Sequence, residues 1–112
     1  MKLRKGVKRQ IEADHPRLPD GRFENPHAPG SPIEGPWDYG HRPEFKYKEW
    51  AEVAQEKGVT WKEFTEIMND PRKYRIEARG LNRSGRYDRP ALARRRAGEY
   101  LSEFIQRHDT GR

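Results

Sequence analysis

Seven of the nine prolines in this 112-residue chain fall between Pro16 and Pro43, at positions 16, 19, 26, 29, 32, 36 and 43. Each fixes φ and removes a backbone donor, so no long helix forms across that stretch. Gly21, Gly30, Gly35 and Gly40 add turn signals. The segment reads as loops with short strands at most, Arg22 to Glu24 and Pro36 to Tyr39. A stretch this long without regular structure points to function or to partner binding.

Regular elements flank it. Leu3, Val7 and Ile11 have helical spacing in the basic first fifteen residues, which suits a short helix or a disordered arm ahead of a domain at 16–112. Tyr47, Trp50, Ala51 and Ala54 form an apolar stripe that ends at Gly58. Thr60 and Glu63 form a capping box, after which Trp61, Phe64, Ile67 and Met68 line one face until Asn69-Asp70-Pro71. The two helices make a helical hairpin. Tyr74 to Glu77 alternates like a strand, Gly80 to Gly85 reads as a turn, and Ala93, Ala97, Tyr100, Leu101, Phe104 and Ile105 give a final helix its apolar face.

Only 31% of residues are hydrophobic against 38% charged, so the core is thin and the aromatics at helical spacing are needed to fill it. Trp37 stands apart in the proline-rich stretch, where packing and ligand roles are both open. No apolar run approaches the roughly 20 residues that span a bilayer, and the basic start is not followed by the apolar stretch of a signal peptide. With no cysteine, thiolate sites are excluded and any metal falls to His, Asp, Glu or Asn.

The net charge is +6. It is unevenly spread: residues 72–96 hold ten Lys or Arg and two acids, whereas residues 44–70 hold four Lys and seven acids. Arginine forks match phosphates, so the C-terminal half reads as a nucleic-acid face. The plainer reading is a solvated helix surface. Of the four histidines, His15, His27 and His108 suit surface or turn roles. His41 ends the run Trp37-Asp38-Tyr39-Gly40-His41, where a strand delivers it to the lip of a turn with Asp38 close behind. A His base and an Asp that holds a cation are parts of a metal-assisted phosphodiester hydrolase. A phosphate-binding Walker loop, a zinc-protease HExxH, a serine elbow and an EF-hand loop are all missing.

Several motifs in order carry a family resemblance. They are GlyArgPheGluAsnPro at 21–26, ProIleGluGlyProTrpAspTyrGlyHis at 32–41, GlyValThrTrpLysGluPhe at 58–64, AsnAspProArgLysTyrArgIleGlu at 69–77 and AsnArgSer at 82–84. Over roughly residues 16–90 the chain resembles the GH-E group of the HNH/endonuclease VII superfamily, nuclease modules at the C-terminal ends of bacterial polymorphic toxins. The resemblance implies an α+β fold, a small ββα-metal core with the helical hairpin inserted and a C-terminal helix beyond it.

It also implies roles. His41 is the general base, Glu77 the acid of the second strand, and Asn82 positions the base or the backbone. Asp38 either binds the divalent ion, Mg²⁺, Mn²⁺ or Zn²⁺, or orients His41. Arg83 and the run Arg94, Arg95 and Arg96 grip phosphates, with Arg86 beside them in the same basic stretch. The resemblance further implies a secreted or delivered toxin acting on DNA in the target-cell cytoplasm. Its partner is then an immunity protein, expected to be acidic against so basic a surface. One position departs from the family pattern: Gly85 stands where His usually follows AsnArgSer. Either Gly85 disables the enzyme, or Asp88 serves as metal ligand in its place. The alternative reading is a non-catalytic basic module that binds nucleic acid.

Overall fold

The computed structural model describes residues 1–108, so the end of the expected 16–112 domain lies outside the described residues. The elements run α1 (Lys5–Asp14), β1 (Trp37–His41), α2 (Tyr47–Glu56), α3 (Trp61–Met68), β2 (Tyr74–Ala78), α4 (Arg79–Ser84) and α5 (Pro90–Arg107). Short 3-10 turns at Pro43–Phe45 and Pro71–Lys73 precede α2 and β2. The fold is α+β, with β1, β2 and α4 as a small ββα unit and α2 and α3 inserted between its strands.

The strands pair antiparallel, with Asp38 opposite Glu77, Gly40 opposite Arg75 and His41 opposite Tyr74. Side chains alternate between faces along a strand. Asp38, Gly40, Arg75 and Glu77 therefore share one face, and Trp37, Tyr39, His41, Tyr74 and Ile76 share the other. The second face is the apolar one. Ile11 of α1 packs there with Ile33, Tyr74 and Ile76, and the Tyr39 hydroxyl donates to Glu12 at 2.7 Å.

The first fifteen residues are accordingly no separate arm, because Ile11 is buried in this core. His15 is buried as well, contrary to the expected surface or turn role. Its Nδ1 accepts the Ile76 N–H at 3.1 Å, and its Nε2 donates to the Glu24 carbonyl at 2.7 Å. One ring thus ties the proline-rich segment to β2. The expected strand at 22–24 is reduced to isolated bridges, Arg17 with Phe23 and Glu24 with Pro32.

A second core joins Trp50, Val53 and Ala54 of α2, Phe64, Ile67 and Met68 of α3, and Ala93, Ala97 and Leu101 of α5. The capping box forms as expected: Glu63 N–H donates to Thr60 Oγ1 at 3.1 Å, and Thr60 N–H to Glu63 Oε1 at 2.9 Å. In the hairpin Tyr47 of α2 meets Phe64 of α3 with ring centres 5.7 Å apart, while the main neighbour of α2 is α5. Trp61 is left 62% exposed at the rim beside Phe64, outside the core it was expected to fill.

Two small cores rather than one give an elongated body of 53 × 28 × 19 Å. Lys73 spans their junction. It immediately precedes β2, while its buried ammonium lies 4.9 Å from the Tyr100 ring centre, 5.2 Å from Phe45 and 5.6 Å from Trp50, with Asp70 at 3.2 Å. The expected turn at 80–85 is instead mostly helical: residues 79–84 form α4, which stops at Gly85, φ +70°. Gly80 and Ser84 weaken the helical signal, so the local sequence reads as a turn.

Candidate functional site

The helix α4 starts as β2 ends, which brings Asn82 over the polar face of the strand pair. Asn82 Nδ2 donates to Asp38 Oδ2 at 3.0 Å. Arg79 Nε donates to Asp38 Oδ1 at 3.0 Å, and Arg83 Nε to Oδ2 at 3.3 Å. Burial pushes the Asp38 pKa up, but the bonds from Asn82 and Arg79 and the Arg83 charge outweigh it and hold the carboxyl below its usual range.

Across from Asp38, the Glu77 side chain is only 7% exposed. Its Oε1 lies 2.6 Å from His27 Nε2 and 3.6 Å from an Arg75 guanidinium nitrogen. A carboxylate only accepts, so Nε2 is the nitrogen that carries the proton. The His27 ring stacks on Tyr87, with centres 3.7 Å apart and planes within 9°. Its loop is also fixed by the His27 N–H donating to Asn25 Oδ1 at 2.9 Å.

The remaining oxygens of Glu77 and Asn82 converge. A Cβ on Gly40 would stand 2.7 Å from Glu77 Oε2 and 2.7 Å from Asn82 Oδ1. Only glycine tolerates so close an approach. Each side chain is held at one end, Glu77 by His27 and Asn82 by Asp38, with its remaining oxygen packed against Gly40.

Other expected members are elsewhere. His41 projects from the opposite face of β1, its ring 4.5 Å from Tyr74 and 5.8 Å from Tyr47, with Nε2 shut off from solvent and without a hydrogen bond. Burial, then the Lys46 charge, pushes its pKa down to about 4. The structure thus does not bring His41 to Asp38, Glu77 and Asn82; the alternation of a regular strand carries the two ends of Asp38-Tyr39-Gly40-His41 to different faces.

Asp38 itself, expected to hold a metal, has both oxygens occupied by Arg79, Arg83 and Asn82. Asp88 pairs with Lys46 at 3.2 Å, and its Oδ2 stands 3.0 Å from where a Cβ on Gly85 would be. Gly85 ends a helix in the left-handed region that favours glycine.

The arginines divide too. Arg83 holds Asp38, and the Arg86 guanidinium lies 5.6 Å from the Tyr87 ring centre. Arg94 is engaged by Glu52 at 3.1 Å and Glu56 at 2.9 Å, whereas Arg95 and Arg96 are exposed.

Residues 20–88 match the GH-E family, described as HNH/ENDO VII superfamily nucleases with conserved GHE residues. The chain belongs to that family. No solved structure matches it. The matched span encloses the ββα unit and the whole polar cluster, from His27 to Tyr87. As a GH-E nuclease the chain binds nucleic acid, and among its described residues no helix is long and apolar enough to cross a membrane.

HNH/ENDO VII nucleases are generally metal-dependent. No three His, Asp or Glu side chains converge among the described residues of this GH-E chain. The contact at Gly40 is close-packed between buried residues and leaves no site for a hydrated ion with a phosphate, since Glu77 Oε2 and Asn82 Oδ1 already stand 2.7 Å from where a Cβ would be. Oxygen donors suit Mg²⁺ or Mn²⁺ better than Zn²⁺. Sequence reasoning missed His27, Arg75, Arg79 and Tyr87 as members of this cluster. For His27, the available signal was a polar ring between Pro26 and Pro29 in a loop too long to be a mere connection.

Proposed function

We propose that this chain is a metal-dependent endonuclease that hydrolyses phosphodiester bonds of DNA. The observation that carries this reading is the cluster of Asp38, Glu77 and Asn82 on the polar face of the ββα unit, inside the family-matched span and flanked by Arg75, Arg79 and Arg83. A divalent ion supplies Lewis-acid polarisation of the phosphate and an acidified water to nucleases of this superfamily.

The protein's own part is to fix these groups and absorb charge. Asp38 turns the Asn82 amide so that its oxygen faces Gly40. Arg79 and Arg83 hold Asp38 with one nitrogen each and keep further N–H groups for the phosphates that flank the reacting bond. Arg95 and Arg96 add exposed positive charge on α5 that anchors the backbone without reading bases.

The same reading makes the module the toxic end of a delivered bacterial protein that acts in the recipient cytoplasm. It is held inactive in the producer by an acidic immunity protein. The excess of basic residues over 72–96 supports such a partner.

The test is cleavage of supercoiled plasmid and of a structured RNA with Mg²⁺, Mn²⁺ or Zn²⁺, by the wild type, Glu77→Gln and Asn82→Ala. Cutting of the plasmid with Mg²⁺ or Mn²⁺, lost in both variants, is expected. Binding of DNA without cutting under any ion would make the chain a binding module instead.

A further inference from the structure

Among the described residues, His27 is the histidine that joins a buried carboxylate at one ring nitrogen to an open nitrogen at the other. His15 spends both of its nitrogens on backbone partners, and His41 has Nε2 shut off from solvent on the opposite face of β1. His27 Nε2 donates to Glu77 Oε1 at 2.6 Å, across fifty positions of sequence. Its Nδ1 has no hydrogen bond among the described residues and remains open to solvent on a side chain 11% exposed.

An imidazole with its proton on Nε2 carries a lone pair on Nδ1. A carboxylate that accepts from one ring nitrogen fixes that tautomer, and it stabilises the imidazolium that forms when the other nitrogen takes a proton. Glu77, only 5% exposed, is placed to do both. The ring is also held still: it lies flat on Tyr87 with centres 3.7 Å apart, and the His27 N–H donates to Asn25 Oδ1 at 2.9 Å. Its loop is closed by the Asn25 N–H on the Ser31 carbonyl at 2.8 Å and the Gly30 N–H on Glu24 Oε2 at 3.0 Å. A ring that served only as a donor to Glu77 has no need of an open second nitrogen. Two guanidinium groups stand near it to receive a phosphate. Arg75 lies 3.4 Å from Nε2, and exposed Arg86 lies 5.6 Å from the Tyr87 ring centre and pairs with no acid among the described residues.

We infer that His27 is a catalytic residue, the general base of the hydrolysis, whose Nδ1 takes the proton of the attacking water while Glu77 positions the ring from behind. The inference rests on the nuclease reading given above and adds the base to it. One O–H bond of the water breaks, and its proton goes to Nδ1. The water oxygen forms a bond to phosphorus, and the bond from phosphorus to the departing nucleoside oxygen breaks. That oxygen keeps the bonding pair and takes a proton from solvent, and His27 returns its own to solvent. A base of this kind contributes roughly 100- to 10,000-fold to the rate.

The experiment combines ¹⁵N spectra of the histidine side chains at mildly alkaline pH with plasmid cleavage in Mg²⁺ or Mn²⁺, DNA binding by fluorescence anisotropy and thermal unfolding. It uses the full chain as wild type, His27→Gln and His27→Ala, the last with and without added imidazole. The wild-type spectrum should show His27 as the Nε2–H tautomer with a bare Nδ1. His27→Gln, whose amide Nε2 still donates to Glu77, should fold and bind DNA like wild type but cut roughly 100- to 10,000-fold more slowly. Imidazole should restore part of the cutting to His27→Ala.

Wild-type cutting by His27→Gln overturns the inference, and so does a His27 that carries its proton on Nδ1. If His27→Gln does not fold, the imidazole arm decides: His27→Ala that stays folded and gains no cutting makes the ring structural. Wild type that binds DNA but cuts under neither ion brings down the nuclease reading and the inference with it, a result distinct from an active wild type matched by an active His27→Gln.

Discussion

Asn82 donates its amide nitrogen to Asp38 Oδ2 across 3.0 Å, and that bond decides which end of the Asn82 amide faces Gly40. The two residues lie on different elements, a strand and the helix that follows its partner strand. Register brings them together: Asp38 is opposite Glu77, and Asn82 is little more than one helical turn beyond Glu77.

Asp38→Ala should therefore act through Asn82. With no acceptor for Nδ2, the amide turns freely, and Arg79 and Arg83 lose the carboxylate that gathers them. Cleavage should fall roughly 10- to 100-fold, with a parallel loss of Mn²⁺ affinity in calorimetry. Asp38→Asn, which keeps an acceptor oxygen, should fall between that variant and wild type.

Gly40→Ala puts one carbon 2.7 Å from each of two oxygens, Glu77 Oε2 and Asn82 Oδ1. Both end side chains held by His27 and Asp38, and Glu77 Cγ is 3.1 Å from the same point, so they must shift against those bonds and the fold should survive at a cost of about 1 to 3 kcal/mol. The site should not, because a displacement of about 1 Å lowers rates by about 100-fold. Comparing urea midpoints with initial cleavage rates separates the two effects.

At Gly85 a histidine would be strained. The backbone sits at φ +70°, and a Cβ would come 3.0 Å from Asp88 Oδ2. Gly85→His should lower stability by about 1 kcal/mol in urea denaturation, and the Lys46–Asp88 pair should open as Asp88 moves away.

Binding to nucleic acid should discriminate between neighbouring arginines. Arg94 is spent on Glu52 and Glu56, so Arg94→Ala should leave DNA affinity nearly unchanged while loosening α2 from α5. Arg95→Glu with Arg96→Glu should weaken binding and flatten its salt dependence by about one unit of log–log slope for each phosphate that is no longer neutralised. Fluorescence anisotropy over a salt series measures both.

Acid should loosen the fold before it affects most carboxylates. The His41 pKa is pushed from 6.5 down to about 4, first by burial and then by Lys46. The folded state therefore binds fewer protons than the unfolded chain. This stability is fully present above pH 6.5 and is lost as pH falls towards 4, by about 2 to 3 kcal/mol in all. His15, also pushed down by burial, acts in the same direction, because a proton on Nδ1 opposes the Ile76 N–H. His41→Phe, which keeps an aromatic ring against Tyr47 and Tyr74, should show a shallower loss in urea titrations between pH 7.5 and 4.5.

What the sequence displays locally, it displays well. Thr60 and Glu63 are three residues apart and announce the start of α3; Tyr74 to Glu77 alternates and becomes β2. The ββα order follows from the family resemblance, and so do Asp38, Glu77 and Asn82 as candidates. What stayed hidden depends on facing. Nothing local says that His41 turns to the apolar side, because that follows from the strand register. Nothing local joins His27 to Glu77 across fifty positions, nor engages Arg94 with α2 while leaving Arg95 and Arg96 free. His15 looked like a turn residue because its acceptor role needs Ile76, which is remote in sequence.

Lys73 gives the molecule a property that neither core has alone. The ammonium among Phe45, Trp50 and Tyr100 belongs to the residue directly ahead of the strand that carries Glu77. For that strand to fray from the helical layer, a charge must leave three rings and Asp70 together. The helices α2 and α5, which supply two of those rings, are thereby made mechanical guardians of a carboxylate carried on the neighbouring strand.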